Sequence, residues 1–129
     1  MGLEGGMSQV SEWLPLREPT FFILLGLARG EKHGYAILKD VDELSRGRVR
    51  LSTSTLYEAL ARLLDQGLIE RLDVIGAEKG IREATQRRPG RPRKSYRLTQ
   101  MGRRVLEAET NRLQALVVTA QRRLGGQTR

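Results

Sequence analysis

Cysteine is missing from the 129-residue chain, which excludes disulfides and thiolate chemistry and leaves the redox compartment open. Histidine occurs once, at His33, with no second ligand near it, so no metal site is expected. Its expected role is to order the start of a helix. Aromatic residues make up 5% of the chain and none clusters beside its arginines, which argues against stacking platforms for unpaired bases. No apolar run approaches the roughly 18 residues of a membrane span. The longest run, Phe21 to Ala28, is about half that length. The start of the chain lacks the basic residues and apolar stretch of a signal peptide, so a cytoplasmic location is expected. There is no glycine-rich phosphate loop after a strand and no carboxylate pair at catalytic spacing, so no enzyme and no cofactor are expected.

What is present is a soluble globular composition, 39% hydrophobic and 29% charged, enough for one domain with an appended helix. The net charge of +8 is concentrated. Arg82, Arg87, Arg88, Arg91, Arg93, Lys94, Arg97, Arg103 and Arg104 stand against Glu83 alone, and the remaining 14 basic and 14 acidic residues balance. A neutral body with one basic segment is the electrostatic pattern of a polyanion-binding protein.

Residues 1–17 read as an N-terminal arm, with Trp13 expected at a subunit interface or stacking on an aromatic ligand. From Thr20 to Arg29 the chain is apolar nearly all round, which predicts a central buried helix. Gly26 in it is expected to admit a neighbouring helix, and Gly30 to cap its end. Ile37, Leu38, Val41 and Leu44 repeat at helical spacing and predict a second helix over Gly34 to Ser45. After Gly47 and a short extended piece, Val49 to Leu51, a third helix is expected, with Ser52 or Thr55 as its N-cap. Leu56, Leu60, Leu63 and Leu64 form its apolar stripe, and Gly67 ends it. Leu68 to Ile75 and Arg93 to Leu98 then read as strands, separated by a long basic loop. Thr99 is expected to cap a final helix reaching about Leu124. Leu106, Leu113 and Ala120, with Leu116, Val117 and Leu124, form a seam at near-heptad spacing suited to a partner helix.

The fold class is therefore mainly α with a small two-stranded β wing: a winged helix-turn-helix over residues 18–98, followed by a C-terminal dimerisation helix over 99–129. In that arrangement the third helix reads DNA. Its tip carries Ser52, Thr53, Ser54, Thr55 and then Tyr57. Four consecutive hydroxyls exceed what capping needs, so at least two are expected to contact DNA. The wing carries Arg87, Arg88, Arg91, Arg93 and Lys94 around Pro89-Gly90-Arg91-Pro92. This stretch is similar to an AT-hook for the narrow minor groove of A·T-rich DNA; a wing that touches phosphates without base preference is the equal alternative.

The chain as a whole resembles the PadR family of transcriptional regulators, in its short form with a single C-terminal helix. The residues that carry the resemblance are Phe21 with Ile23-Leu24-Leu25-Gly26-Leu27, His33-Gly34-Tyr35-Ala36-Ile37 and Ser54-Thr55-Leu56-Tyr57-Glu58-Ala59-Leu60. They continue through Leu63, Gly67-Leu68-Ile69, and Arg93-Lys94-Ser95-Tyr96-Arg97-Leu98-Thr99 to Gly102. The resemblance implies a homodimeric repressor of a double-stranded DNA operator, released by a candidate small-molecule effector. It also implies a DNA-backbone contact at Tyr35. Two departures stand out: the wing is longer and richer in arginine, and Glu58 stands where the family often has proline. That carboxylate either lies near the DNA face or points away. The alternative reading is an RNA-binding or architectural protein that works through its arginine-rich loop.

Overall fold

The computed structural model describes residues 10–73 and 94–125. Helix α1, Glu18–Gly26, begins with Pro19 in its first turn, where a missing N–H costs nothing. It stops short of the expected Arg29. Leu27 N–H bonds to the Leu24 carbonyl (3.0 Å) and Ala28 N–H to that of Leu25 (3.1 Å), tightening the last turn, and Gly30 follows at φ +147°. The close approach expected at Gly26 is present: a Cβ there would stand 3.2 Å from Cβ of Asp40 on the next helix.

A two-residue strand β1, Lys32–His33, comes next; no alternation in the sequence announces it over so short a charged piece. Helix α2, Gly34–Leu44, buries Ile37 and Val41. Leu44, expected on that face, is 45% exposed, because the apolar stripe runs past the end of the core. The turn that follows is held by buried Ser45, whose hydroxyl accepts the Val49 N–H at 2.9 Å. Arg46 at φ +56° and Gly47 at φ +79° reverse the chain.

Helix α3, Thr53–Asp65, sets Leu56, Leu60 and Leu63 into the core at i, i+4 and i+7. It ends in a Schellman motif. Leu68 N–H bonds to the Leu63 carbonyl and Gly67 N–H to that of Leu64, each at 3.1 Å, with Gly67 left-handed at φ +76°. Strands β2, Ile69–Asp73, and β3, Lys94–Leu98, pair antiparallel with Arg71 opposite Tyr96 and Glu70 opposite Arg97. Strand β1 pairs with the other edge of β3, so the sheet order is β1-β3-β2. Both Ser95 and Tyr96 are buried, because β3 is the central strand and is covered on both faces at that point. The expected hairpin strands are therefore present, with one short strand added.

Helix α4, Gln100–Gly125, starts as expected at Thr99, whose hydroxyl accepts the Gly102 N–H (3.0 Å) and donates to the Gly67 carbonyl (2.7 Å). A Cβ at Gly102 would overlap the Leu68 carbonyl oxygen, so the start of α4 lies directly on the exit from α3. Val105, Leu106 and Glu109 are buried, whereas Leu116, Val117, Ala120 and Leu124 lie toward solvent and Leu113 is half-buried. Leu106, expected in the intersubunit seam, is 5% exposed and belongs instead to the core of its own protomer. The exposed large apolar residues of α4 begin at Leu116.

The described part of the arm, from Val10, packs Val10, Trp13, Leu14 and Leu16 onto the core. Leu16 N–H donates to Glu109 Oε2 at 3.2 Å, which ties the arm to α4. Trp13 is thus packed against its own chain.

Candidate nucleic-acid interface

Ser52 is the N-cap of α3: its hydroxyl accepts the Thr55 N–H at 3.1 Å and lies 2.9 Å from Thr55 Oγ1. Ser54 Oγ stands 3.4 Å from Ser52 Oγ. All four hydroxyl residues are exposed, but their duties differ. Ser52 and Thr55 are engaged in the cap, whereas the Thr53 hydroxyl makes no hydrogen bond among the described residues. Thr53 and Ser54 are therefore the pair best placed to bond outward. Amide groups at a helix N-terminus add a fixed positive potential at the same spot.

Tyr57 is 44% exposed and its hydroxyl seats against Gly34, where an added Cβ would overlap it. This packing joins α3 to the first residue of α2. Beside it, Tyr35 is 71% exposed, with Lys39 Nζ 6.0 Å from its ring centroid. Two tyrosines thus flank the junction of two helix N-termini. In the sequence Gly34 reads only as the start of a helix, and nothing there signals this close approach.

His33 connects this junction to the wing. It holds the N-cap position of α2 without a side-chain capping bond, and its Nδ1 lies 3.3 Å from the Lys94 carbonyl oxygen. Lys94 is the first residue of β3 and is exposed. A continuous path therefore runs from Lys94 through His33 and Gly34 to Tyr57, with the wing base at one end and the α3 tip at the other. Arg97 is half exposed and paired with Glu70 at 2.6 Å, so its charge is partly compensated. Arg87, Arg88, Arg91 and Arg93, with the AT-hook-like stretch, lie outside the described residues. Among the described residues, no three His, Cys, Asp or Glu side chains are grouped to hold a metal ion.

On its other flank α3 borders a cleft of about 310 Å³ against the arm, with Trp13 and Pro15 on one wall and Thr55, Glu58 and Arg62 on the other. Glu58, exposed on α3, is among the residues that line this arm-side cleft. Behind the arm, Glu109 is 2% exposed and accepts two hydrogen bonds from Arg112, at 2.7 and 2.8 Å. Foremost through these bonds, and with help from the Leu16 N–H, its carboxyl is held below the ordinary carboxylate value, although burial opposes the shift. Sequence reasoning missed this cluster. A Glu and an Arg three residues apart on a helix look like a surface pair until the arm covers them.

The family model of the PadR-like transcriptional regulators matches residues 23–108. Among solved structures, a PadR family regulator from Eggerthella lenta is 25% identical with a TM-score of 0.57, over 92% of this chain and 87% of that one. PadR of Bacillus subtilis, solved in complex with operator DNA, is 27% identical with a TM-score of 0.55. It matches 71% of this chain, which spans 46% of that longer protein. A regulator from Clostridium thermocellum shares the fold at 23% identity and a TM-score of 0.60, over 82% of this chain and 89% of that one. A search of curated proteins finds no match. From the helix that opens the domain to the one that closes it, this chain belongs to the PadR-like family of transcriptional regulators.

Proposed function

We infer that the chain acts as a homodimeric, sequence-specific repressor of a double-stranded DNA operator, released by a small-molecule effector. The observation that carries the DNA-reading half is the path from Lys94 through His33 and Gly34 to Tyr57, which keeps the hydroxyl-rich tip of α3 and the base of the wing adjacent. With that geometry, Thr53, Ser54 and Tyr57 enter a major groove, Tyr35 rests on the backbone, and the arginines that precede Lys94 reach the flanking groove. The relative from Bacillus subtilis, solved in complex with operator DNA, supports an operator as the target. The dimeric half rests on the exposed apolar residues Leu116, Val117, Ala120 and Leu124 of α4.

Footprinting on fragments selected from the host genome tests the reading. A pseudo-palindromic protection pattern is expected, with half-site centres roughly 34–36 Å apart. Protection of a single asymmetric half-site would reject the dimeric mode. In binding titrations at several salt concentrations, replacing Arg88, Arg91 and Arg93 by alanine flattens the dependence of log K on log salt. The slope changes by about 0.9 for each phosphate that the variant no longer neutralises. An unchanged slope would remove the wing from the interface.

A further inference from the structure

Outside the basic segment at 82–104 the charges sum to zero, but that sum hides a local excess. From Ser45 to Tyr57 the chain carries Arg46, Arg48 and Arg50 and no acidic residue. These arginines occupy the turn between α2 and α3, directly ahead of the helix tip that bears Thr53 and Ser54. We propose that Arg48 and Arg50 form a second phosphate clamp, held in reserve by Glu18 and Asp42, which give way to DNA phosphates on binding. The clamp rests on the DNA-binding role argued above, and adds to it a contact and a control of its strength.

The turn is a fixed platform. The buried Ser45 hydroxyl accepts the Val49 N–H at 2.9 Å and lies 3.3 Å from the Asp42 carbonyl oxygen. Arg50 stands two residues before the Ser52 cap, so at most roughly 7 Å of chain separates it from the amide end of α3. Helix α2 sets the spacing across the site. Its 11 residues span about 16 Å, with Tyr35 and the wing base at one end and the turn at the other. A major groove is about 12 Å wide, so the two ends of α2 fall on opposite banks of the groove that α3 enters.

Both arginines are already paired, but loosely. Arg48 Nη2 lies 3.4 Å from Glu18 Oε2, and Arg50 Nε lies 3.4 Å from Asp42 Oδ1. The two arginine side chains are 73% and 74% exposed, and ion pairs so open to water contribute little. Exchanging a carboxylate for a phosphate therefore costs little, and a phosphate matches the guanidinium fork equally well. Phosphates carry no sequence, so what the carboxylates take away is affinity for every duplex alike. Glu18 and Asp42 thus weaken the hold on all DNA and leave discrimination to the α3 tip.

Anisotropy titrations of the full-length chain at several salt concentrations test this, on a duplex taken from the footprint and a random duplex of equal length. Arg48→Gln with Arg50→Gln is expected to weaken both duplexes equally, by about tenfold. The plot of log K against log salt should flatten by up to about 1.8, for two phosphates no longer neutralised. Arg48→Lys with Arg50→Lys is expected to keep most of that slope, since an ammonium still neutralises a phosphate. Glu18→Gln with Asp42→Asn is expected to tighten both duplexes about threefold, the scale of two exposed ion pairs. That gain should vanish when both arginines are also replaced by glutamine, because no clamp is left to release. An arginine-to-glutamine variant with unchanged affinity and slope overturns the clamp, as does a loss confined to the operator. A gain that persists without the arginines is a general charge effect and overturns the exchange. Each of these results leaves the operator-reading role standing, whereas a wild-type chain that binds neither duplex removes that role and the clamp together.

Discussion

At the scale of single residues, Gly34 and Glu109 decide more than their neighbours suggest. Replacing a helical glycine by alanine ordinarily stabilises, by up to about 1 kcal/mol, through reduced freedom of the unfolded chain. At Gly34 the sign reverses, because the new methyl group meets the Tyr57 hydroxyl. Gly34→Ala should cost about 1–3 kcal/mol in chemical denaturation. In a Tyr57→Ala background the same change should cost little, and the non-additivity measures the packing between the two residues. Glu109 makes stability depend on acid. Its carboxyl is held below its ordinary value of 4.5, so its contribution is fully present above that value and is lost as pH falls through the lower folded one. Thermal melts from about pH 6 to about pH 3 should show a steep acid limb that Glu109→Gln flattens.

At the scale of elements, the tip of α3 divides its work between neighbouring hydroxyls. Ser52→Ala removes the cap and should cost about 1 kcal/mol of stability. The Thr53 hydroxyl bonds to nothing among the described residues, so Thr53→Ala should stay within about 0.5 kcal/mol of wild type in stability. Its operator affinity should nevertheless fall by about 1–3 kcal/mol more than its affinity for random DNA. Paired denaturation and anisotropy titrations check both outcomes. The long elements were legible because their signals are local. A leucine stripe, a serine cap and a Gly67-Leu68 exit define α3 within one window, and Thr99 announces α4 just as plainly. What escaped were features made by distant pairing. Strand β1 is two charged residues that become a strand only because β3 lies beside them. Leu106 fits the seam by spacing, yet the body of its own protomer claims it. Gly34 takes on its meaning only when α3 folds across it.

At the scale of the whole molecule, the chain divides into a packed body and a protruding half-helix. Leu116 and Val117 are each about half exposed, and among the described residues no buried one lies beyond Glu109. Leu116→Lys together with Val117→Lys should therefore leave the fold of the body intact while sedimentation shows a monomer. Operator affinity should fall in parallel, since one reading head loses the reinforcement of the other. A dimer that survives both charges would place the intersubunit surface elsewhere. The charge pattern belongs to this scale as well: a basic excess confined to Arg82 through Arg104 leaves the rest of the chain neutral. Attraction to a polyanion is thereby aimed through one segment instead of spread over all of them.

The projecting part of α4 carries one more consequence. Past Arg112 the helix runs to Gly125 with little of its own chain to lean on. A peptide of that length is barely helical in water by itself. In the proposed dimer a companion helix would shield its last turns, and dilution should then fray them. Far-ultraviolet ellipticity that weakens as the protein is diluted, while the near-ultraviolet signal of Trp13 holds steady, would be the visible trace of a molecule that finishes folding by finding its double.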